Sequence, residues 1–366
     1  MHTHEKKPLI LSTRLPGLDF LRAFAALWVF VFHYMALAPD ALKPLANSYY
    51  IIIGWNGVDL FFVLSGFLIG AILRRENENV KSFMIRRFFR IYPAYLLIVI
   101  LCIAINKPYL FKDWLLVLSH LFLFNNLIPG YGGAVNGVLW TLGAEFQFYI
   151  IAALLLLLPR GKYVWWYLIA IMVIGSLLYR WVIFASVAPS ERFFFSTQLP
   201  GMFGLFGMGF LAVQLKNIMG DFIKRFFPIF LVLAVGSLFV YCEWLQAHVI
   251  DYWESAEAVI FGRLFSGITF ALIVLVFSCT SDYLGVIFKK SGLVFIGEIS
   301  YGIYLTHLFL IDLLKPYESI FSQFNWALYA STLVALTFLC SCLIYFLVER
   351  PFIKLGARLS SPAVSK

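Results

Sequence analysis

The chain of 366 residues is 62% hydrophobic and only 13% charged, with a mean hydropathy of +0.89 and a formal net charge of +9. A soluble domain is close to half apolar and a quarter charged, so this composition excludes a soluble protein and indicates a polytopic membrane protein. The five cysteines all lie in apolar stretches without metal-ligand spacing or paired order, so we expect neither a disulfide framework nor a metal site.

Eleven apolar stretches follow one another, and a segment that spans the membrane needs about 20 residues. They lie at roughly 15–38, 51–73, 91–105, 114–128, 139–158, 163–185, 198–215, 227–246, 258–279, 293–314 and 326–348. The fourth is short and runs into the glycine-rich "PGYGGAVNG". It is therefore either a re-entrant or interfacial segment or a short span.

The basic residues decide between these topologies, because cytoplasmic loops accumulate Lys and Arg. If the fourth stretch does not cross, 20 of the 28 basic residues lie inside, five outside and three within spans. We therefore predict an all-α bundle of about ten transmembrane helices with both termini cytoplasmic. The predicted parts are a tail at 1–14, a membrane domain at 15–352 and a tail at 353–366. The positive charge then reflects topology and a lipid bilayer partner, not nucleic-acid binding.

The first span, "LDFLRAFAALWVFVFHY", contains Asp19, Arg22 and His33. Arg22 and His33 are 11 residues apart, which is about three helical turns, so they share one face at different depths. Ionisable groups in membrane helices usually face a cavity or a partner. The alternative is that Arg22 extends to the inner interface and His33 is a hydrogen-bonded core residue.

The second span, "WNGVDLFFVLSGFLIG", buries Asp59 and also contains Ser65. A buried carboxylate needs a partner. Asp59 and His33 lie at similar depths, and a pairing would fix the imidazole tautomer and raise the basicity of its other nitrogen. A helix cap or an ion pair with Arg22 or Arg263 is the alternative.

The third span begins "RRFFRIYPAYLL". Arg86 and Arg90 share a helical face there, with Arg87 between them. Guanidinium groups suit phosphate oxygens, whether of a lipid headgroup or of a cofactor. A cytoplasmic loop of a membrane protein shows the same pattern without any such function.

Polar residues also mark the fifth and tenth spans. In "LWTLGAEFQFY", Glu145 is placed to orient a hydroxyl substrate or to pair with an arginine, and Trp140 is a packing ring or interfacial anchor. In "GEISYGIYLTHLFL", Ser300, Tyr304 and His307 form one polar face. The segment "LVERPF" then closes the last span with a charge pair and a proline that is predicted to end the helix.

Together these six segments resemble the acyltransferase-3 family of integral-membrane O-acyltransferases, from about Leu15 to about Phe352. One departure concerns the fifth span, where many relatives carry two adjacent glutamates and this chain has Glu145 followed by Phe146. The resemblance implies transfer of an acyl group, usually acetyl from cytoplasmic acetyl-CoA, to a hydroxyl of a glycan or lipid-linked sugar. An exopolysaccharide, O-antigen or other envelope glycan would be the acceptor, at a bacterial inner or plasma membrane.

The resemblance also implies site roles. His33 would act as general base or transient acyl acceptor, and Arg22 would hold the cofactor or polarise the thioester. The implied sites are catalytic His33, Arg22, Asp59 and Glu145, cofactor-binding Arg86, Arg87, Arg90 and Ser65, and substrate-binding Trp140, Tyr304 and His307. The alternative function is a transporter of a glycan, lipid or small anion that uses the same charges as a permeation path. A non-catalytic scaffold would leave the buried polar groups unexplained.

Overall fold

The computed structural model describes residues 15–36, 49–158, 161, 163–317, 320 and 326–361, and this part of the chain is helical without a β-strand. Its helices are α1 (Pro16–Ala36), α2 (Gly57–Leu73), α3 (Val80–Leu101), α4 (Trp114–Leu121), α5 (Trp140–Leu155), α6 (Val164–Ser186), α7 (Pro189–Ser196), α8 (Leu199–Arg225), α9 (Phe227–Gln246), α10 (Ala256–Ser278), α11 (Asp282–Lys290), α12 (Leu293–Glu298), α13 (Ser300–Leu314), α14 (Trp326–Ile344) and α15 (Arg350–Ser360). One helical turn (Tyr49–Ile52) and a 3-10 turn (Ile53–Asn56) lead into α2, and a π-helical turn (Cys102–Asn106) extends α3. Further 3-10 turns are Pro108–Lys112, Asn125–Leu127 and Lys315–Tyr317.

Eight of the described helical segments are long and apolar enough to cross a membrane. They are Pro16–Ala36, Tyr50–Leu73, Val80–Asn106, Val164–Ser186, Leu199–Arg225, Phe227–Gln246, Ala256–Ser278 and Ala327–Ser360. Helix α5 is apolar but has only 16 residues, and the tenth apolar stretch is divided at Ile299 into α12 and α13. The predicted all-α membrane bundle is confirmed. The count of ten and the cytoplasmic termini stay predictions, and residues 1–14 and 362–366 lie outside the described residues.

The fourth apolar stretch contains only the eight-residue helix α4, which rises about 12 Å and is too short to span. The side chain of Asp113 caps this helix by accepting from Leu116 N–H at 3.0 Å, and Tyr131 Oη donates to the same carboxylate at 2.8 Å. These two bonds lower the pKa of the Asp113 carboxyl, the backbone bond most. Before this helix, Lys107 Nζ donates to the carbonyl of Ala134 at 2.9 Å. The residues that precede and follow the fourth apolar stretch are therefore close together.

Helices α2 and α8 cross with their backbones in contact. A Cβ added at Gly66 would lie 2.2 Å from the carbonyl oxygen of Phe206, and one at Gly209 would lie 2.2 Å from that of Val63. Small residues allow this close approach, which is how membrane helices gain packing energy without a hydrophobic driving force. The crossing fixes the position of Ser65, which directly precedes Gly66.

The helix does not end at Pro351, so that prediction is wrong. A π-helical turn (Tyr345–Glu349) connects α14 to α15, and Pro351 lies in the first turn of α15. Proline is tolerated at that position because its ring suits the first helical turn, where an amide donor is dispensable. The helix then continues beside α3, where Phe352 stacks on Phe89 with ring centroids 6.2 Å apart.

Candidate active site

A cavity of about 120 Å³ lies between α1, α2, α3, α5, α12, α13 and the turn before α15. Its polar lining comprises Arg22, Ser65, Arg87, Arg90, Thr141, Glu145, Tyr149, Glu298, Ser300, Tyr301, Tyr304 and Glu349. Six of the residues that the sequence singled out as site residues are thereby brought to one place: Arg22, Ser65, Arg87, Arg90, Glu145 and Tyr304.

Glu145 forms the hydrogen-bonded centre of the cavity. Its Oε1 accepts from Ser65 Oγ at 2.7 Å and from Tyr149 Oη at 2.6 Å. Tyr149 is one turn further along α5, whereas Ser65 comes from α2, so the two helices present their polar groups to each other. Two hydroxyl donors hold this carboxylate in one orientation toward the cavity.

Two arginines of α3 line the cavity, but they are not the pair that the sequence placed on one face. The Arg87 guanidinium lies 5.7 Å from the ring centroids of Phe83 and of Tyr149, and its Nε is buried with no hydrogen-bond partner in the described chain. Arg90 lies one turn on. Arg86 instead forms an ion pair with Glu78 and is absent from the cavity lining. The cavity lining therefore includes Arg87 and Arg90 but not Arg86, whose side chain leaves the helix about 100° away from that of Arg87.

Arg22 enters the cavity from α1. Its Nη1 lies 2.5 Å from Oδ1 of Asp19, whose side chain is buried. An ion pair within the same helix holds the arginine in the bundle, since a buried carboxylate fixes the guanidinium it binds. Arg22 therefore faces the cavity and does not extend along the lipid surface.

His33 lies outside the cavity, at the opposite end of α1. Its Nδ1 is 3.2 Å from Nε2 of His307 on α13 and 3.1 Å from the carbonyl of Val29. Tyr304, one turn before His307, lines the cavity and hydrogen-bonds Thr141 Oγ1 at 2.8 Å. Polar side chains thus follow one another from the cavity to the two histidines, in the order Thr141, Tyr304, His307 and His33. We call these four residues the polar row.

Asp59 does not pair with His33, which corrects the expected pairing. Its carboxylate forms an ion pair with Arg263 and accepts from Ser266 Oγ at 2.7 Å, both on α10. The Arg263 guanidinium also stacks over Trp55 at 4.6 Å. Asp59 is fully buried on the side of α2 that faces α10. The ion pair with Arg263, which the sequence analysis gave as an alternative, is therefore the observed one.

Trp140 also lies outside the cavity lining. Its ring packs between those of Phe62 and Phe193, with centroids 6.5 Å and 6.0 Å away. The residue begins α5 and is one position before Thr141. Its observed contacts are those of a packing ring.

Sequence reasoning missed several acidic and hydroxyl groups of the cavity. Glu298 ends α12 and accepts from Tyr345 Oη at 2.9 Å. Glu349 is buried, and its Oε1 has no hydrogen-bond partner within the described residues. Glu298 lies within the apolar stretch 293–314, and Glu349 directly follows the stretch 326–348. An acidic residue in or next to an apolar stretch was the available signal.

Comparison with known proteins identifies the family. A family profile described as an acyltransferase domain, Acyl_transf_3, matches residues 15–346. The chain belongs to this family. It is 29% identical to the peptidoglycan O-acetyltransferase OatA of Listeria monocytogenes, over 93% of this chain and 56% of that protein.

Other relatives show the same relation. The putative peptidoglycan O-acetyltransferase YrhL of Bacillus subtilis is 26% identical, over 94% of this chain and 56% of the relative. The putative O-acetyltransferase SACOL0978 of Staphylococcus aureus is 28% identical, over 94% of this chain and 58% of the relative. The chain thus spans little more than half the length of these relatives. No solved structure matches the chain.

Proposed function

We propose that the chain is a membrane O-acetyltransferase, which moves acetyl from acetyl-CoA at the cytoplasmic face to a hydroxyl of an envelope glycan. The names of the relatives support O-acetyl transfer. The observation that carries the proposal is the arrangement of the polar groups, because polar side chains continue from the arginine-lined cavity through Thr141 and Tyr304 to His307 and His33, which lie outside it. Burying these polar side chains in a membrane helix bundle costs free energy, so we expect them to serve a function.

The donor would enter the cavity at the end nearest the loop between α2 and α3, where Arg87 and Arg90 lie in the first half of α3. Arg87 has a buried nitrogen that lacks an acceptor among the described residues, and phosphate or thioester oxygens are acceptors of the required kind. Arg22 would hold the donor together with Arg87 and Arg90, because it lies about 16 Å from His33 along α1 and is too far away to contact the carbonyl on which His33 acts. Ser65 and Glu145 would orient the pantetheine arm.

His33 would carry out the chemistry. In direct transfer, an imidazole nitrogen takes the proton of the acceptor hydroxyl while the new C–O bond forms and the C–S bond of the thioester breaks. The proton then passes to the thiolate of CoA. In the covalent alternative, the imidazole first attacks the carbonyl, CoA leaves as the thiol, and the acyl-imidazole is attacked by the acceptor. Both routes give one ester and one free thiol.

His33 and Arg22 lie about 16 Å apart along α1, since 11 residues each rise 1.5 Å. With the N-terminus of the chain inside, Arg22 lies toward the cytoplasm and His33 toward the outer face. This separation suits transfer between a cytoplasmic donor and a glycan that is outside. The acceptor class follows the relatives whose names include peptidoglycan, and exopolysaccharide and O-antigen share its hydroxyl chemistry.

Purified protein in sealed liposomes would test the proposal. Acetyl-CoA is supplied on one side and a muramyl or other envelope glycan on the other, and free thiol and glycan ester are both measured. We expect thiol release only in the presence of acceptor, in equal amounts with the ester, and abolished in His33→Gln. Movement of glycan without thiol release would contradict the proposal and indicate the transporter. The glycans of a deletion strain, analysed by mass spectrometry, would then identify the natural acceptor.

A further inference from the structure

Two histidines from distant parts of the chain are in contact at the end of the polar row. His33 and His307 have ring centroids 5.1 Å apart, and Nε2 of His307 lies 3.2 Å from Nδ1 of His33. Each ring has a second contact within its own helix. Nδ1 of His33 is 3.1 Å from the carbonyl of Val29, and Nδ1 of His307 is 3.0 Å from that of Ile303.

The contact with Ile303 determines where the proton of His307 lies. A carbonyl oxygen only accepts hydrogen bonds, so Nδ1 of His307 must carry the hydrogen. The side chain is fully buried and has no carboxylate among its hydrogen-bond partners in the described chain, which favours the neutral ring. A neutral imidazole has a single N–H, so Nε2 of His307 is an acceptor that points at His33.

The contacts of His33 determine its tautomer in the same way. Its Nδ1 faces two acceptors, the carbonyl of Val29 and Nε2 of His307. Only an N–H at this position avoids placing lone pairs against each other, so the hydrogen of His33 is assigned to Nδ1. Nε2 of His33 consequently bears the lone pair.

We propose that His307 is a positioning residue, which holds His33 in the tautomer whose Nε2 is unprotonated. Nε2 is then the nitrogen that takes the proton of the acceptor hydroxyl or attacks the acetyl carbon. The inference rests on the proposed function, in which His33 handles the acyl group. The carbonyl of Val29 belongs to the same helix as His33, whereas His307 comes from α13 and also fixes the plane of the ring. His307 thus has the role that the sequence assigned to Asp59.

Nuclear magnetic resonance of ¹⁵N-histidine-labelled protein in lipid nanodiscs reads this tautomer without any acetyl transfer. The His33 signals are assigned by their loss in His33→Gln. We expect its Nδ1 to resonate as a protonated nitrogen and its Nε2 as an unprotonated one. A protonated Nε2 in the unaltered protein would overturn the inference. Failure of the liposome assay would contradict the proposed function alone, because the tautomer signal does not depend on catalysis.

Kinetics of two variants test the consequence. His307→Gln keeps an acceptor oxygen near the position of Nε2, whereas His307→Leu fills the space without one. We expect His307→Gln to retain kcat within about tenfold and His307→Leu to lose about 10²-fold in kcat, at nearly unchanged KM for both substrates. Equal losses in the two variants, at equal abundance in the membrane, would show a packing role and overturn the inference. If His307→Leu does not fold, the ¹⁵N spectra of the unaltered protein and of His307→Gln decide.

Discussion

His33 is the single side chain through which the proposed reaction passes. It is half-buried at the end of α1, in contact with a neutral partner and a backbone carbonyl, so removing it leaves no unpaired charge. Removing the imidazole should therefore lower the reaction rate with little effect on stability, whereas removing the buried carboxylate of Asp59 would also destabilise the protein. Removing an arginine of the cavity should instead weaken donor binding, which is measured separately from the rate of the chemical step.

We predict that His33→Ala and His33→Gln reach the membrane in nearly normal amounts and lose about 10² to 10⁴ in acyl transfer rate, the range for a positioned general base. Loss of a covalent acyl acceptor would cost more. His248→Gln is the matched control, because His248 is a partly exposed histidine whose Nδ1 contacts the carbonyl of Trp244 and which is absent from the cavity lining. This variant should retain activity. Should His33→Ala keep most of its turnover at equal abundance, Glu145 or His307 would become the leading candidate.

Arg87 is predicted to bind the donor. Arg87→Ala should raise the KM for acetyl-CoA about 10- to 100-fold, since a hydrogen bond to a charged group contributes about 1.5–3 kcal/mol, and should leave the KM for the acceptor nearly unchanged. Arg86→Ala is the control, because Arg86 is next to Arg87 in sequence but forms an ion pair with Glu78 and is absent from the cavity lining. Steady-state kinetics with each substrate varied in turn give both constants. A rise in the acceptor KM alone would exclude Arg87 as the donor anchor.

Among the elements, α2 is held from two sides, by the ion pair to α10 and by the crossing with α8. The ion pair places Asp59 in the scaffold of the bundle and away from His33. Breaking one member of a buried pair is costly because it leaves the other charge uncompensated. Each contact can be removed separately, so the two contributions to stability can be measured apart.

Asp59→Asn is expected to destabilise the protein by about 3–5 kcal/mol, the range for removing one partner of a buried salt bridge. Thermal unfolding in detergent measures the loss. The double variant Asp59→Leu with Arg263→Met removes both charges and should recover much of the stability. If Asp59→Asn were as stable as the unaltered protein yet inactive, Asp59 would instead belong to the catalytic group.

The crossing of α2 and α8 gives a second prediction at this scale. Gly209→Ala places a Cβ 2.2 Å from a backbone carbonyl that cannot move without shifting a helix, and overpacking of this kind costs about 1–3 kcal/mol. We expect a lower unfolding temperature and less monodisperse protein. Gly236→Ala is the control, because nothing lies within 4 Å of a Cβ at that position, and it should be neutral or stabilising. Equal unfolding temperatures for the two variants would contradict a tight crossing.

The sequence predicted the helical bundle and six of the twelve polar residues that line the cavity, because hydropathy and buried charge are local properties of each segment. It did not predict which helices are neighbours. Depth alone suggests a pairing of Asp59 with His33, whereas the orientation of α2 about its axis directs Asp59 to Arg263. A rotation of about 100° per residue likewise decided between Arg86 and Arg87 as the cavity residue. Such rotations depend on packing between helices, which periodicity in a single segment does not encode.

The last prediction concerns topology, on which the direction of acyl transfer depends. Residues 106–138 should lie wholly on the outer face, because α4 is too short to span and Lys107 contacts Ala134 at the far end of the segment. Cysteines are placed singly at Lys112 and Gly133 in a background where the five native cysteines are alanine. Both positions are exposed, and a Cβ at Gly133 meets nothing closer than 3.5 Å.

Intact cells are then treated with a membrane-impermeant thiol reagent. We expect both cysteines to be labelled before the membrane is opened. The matched control is Asn77→Cys in the exposed loop between α2 and α3, which should label only after permeabilisation because that loop is predicted to face the cytoplasm. Protection of either outer position would make the fourth apolar stretch a span. The later basic loops would then change sides, and the proposed path from cytoplasmic donor to outer acceptor would no longer hold.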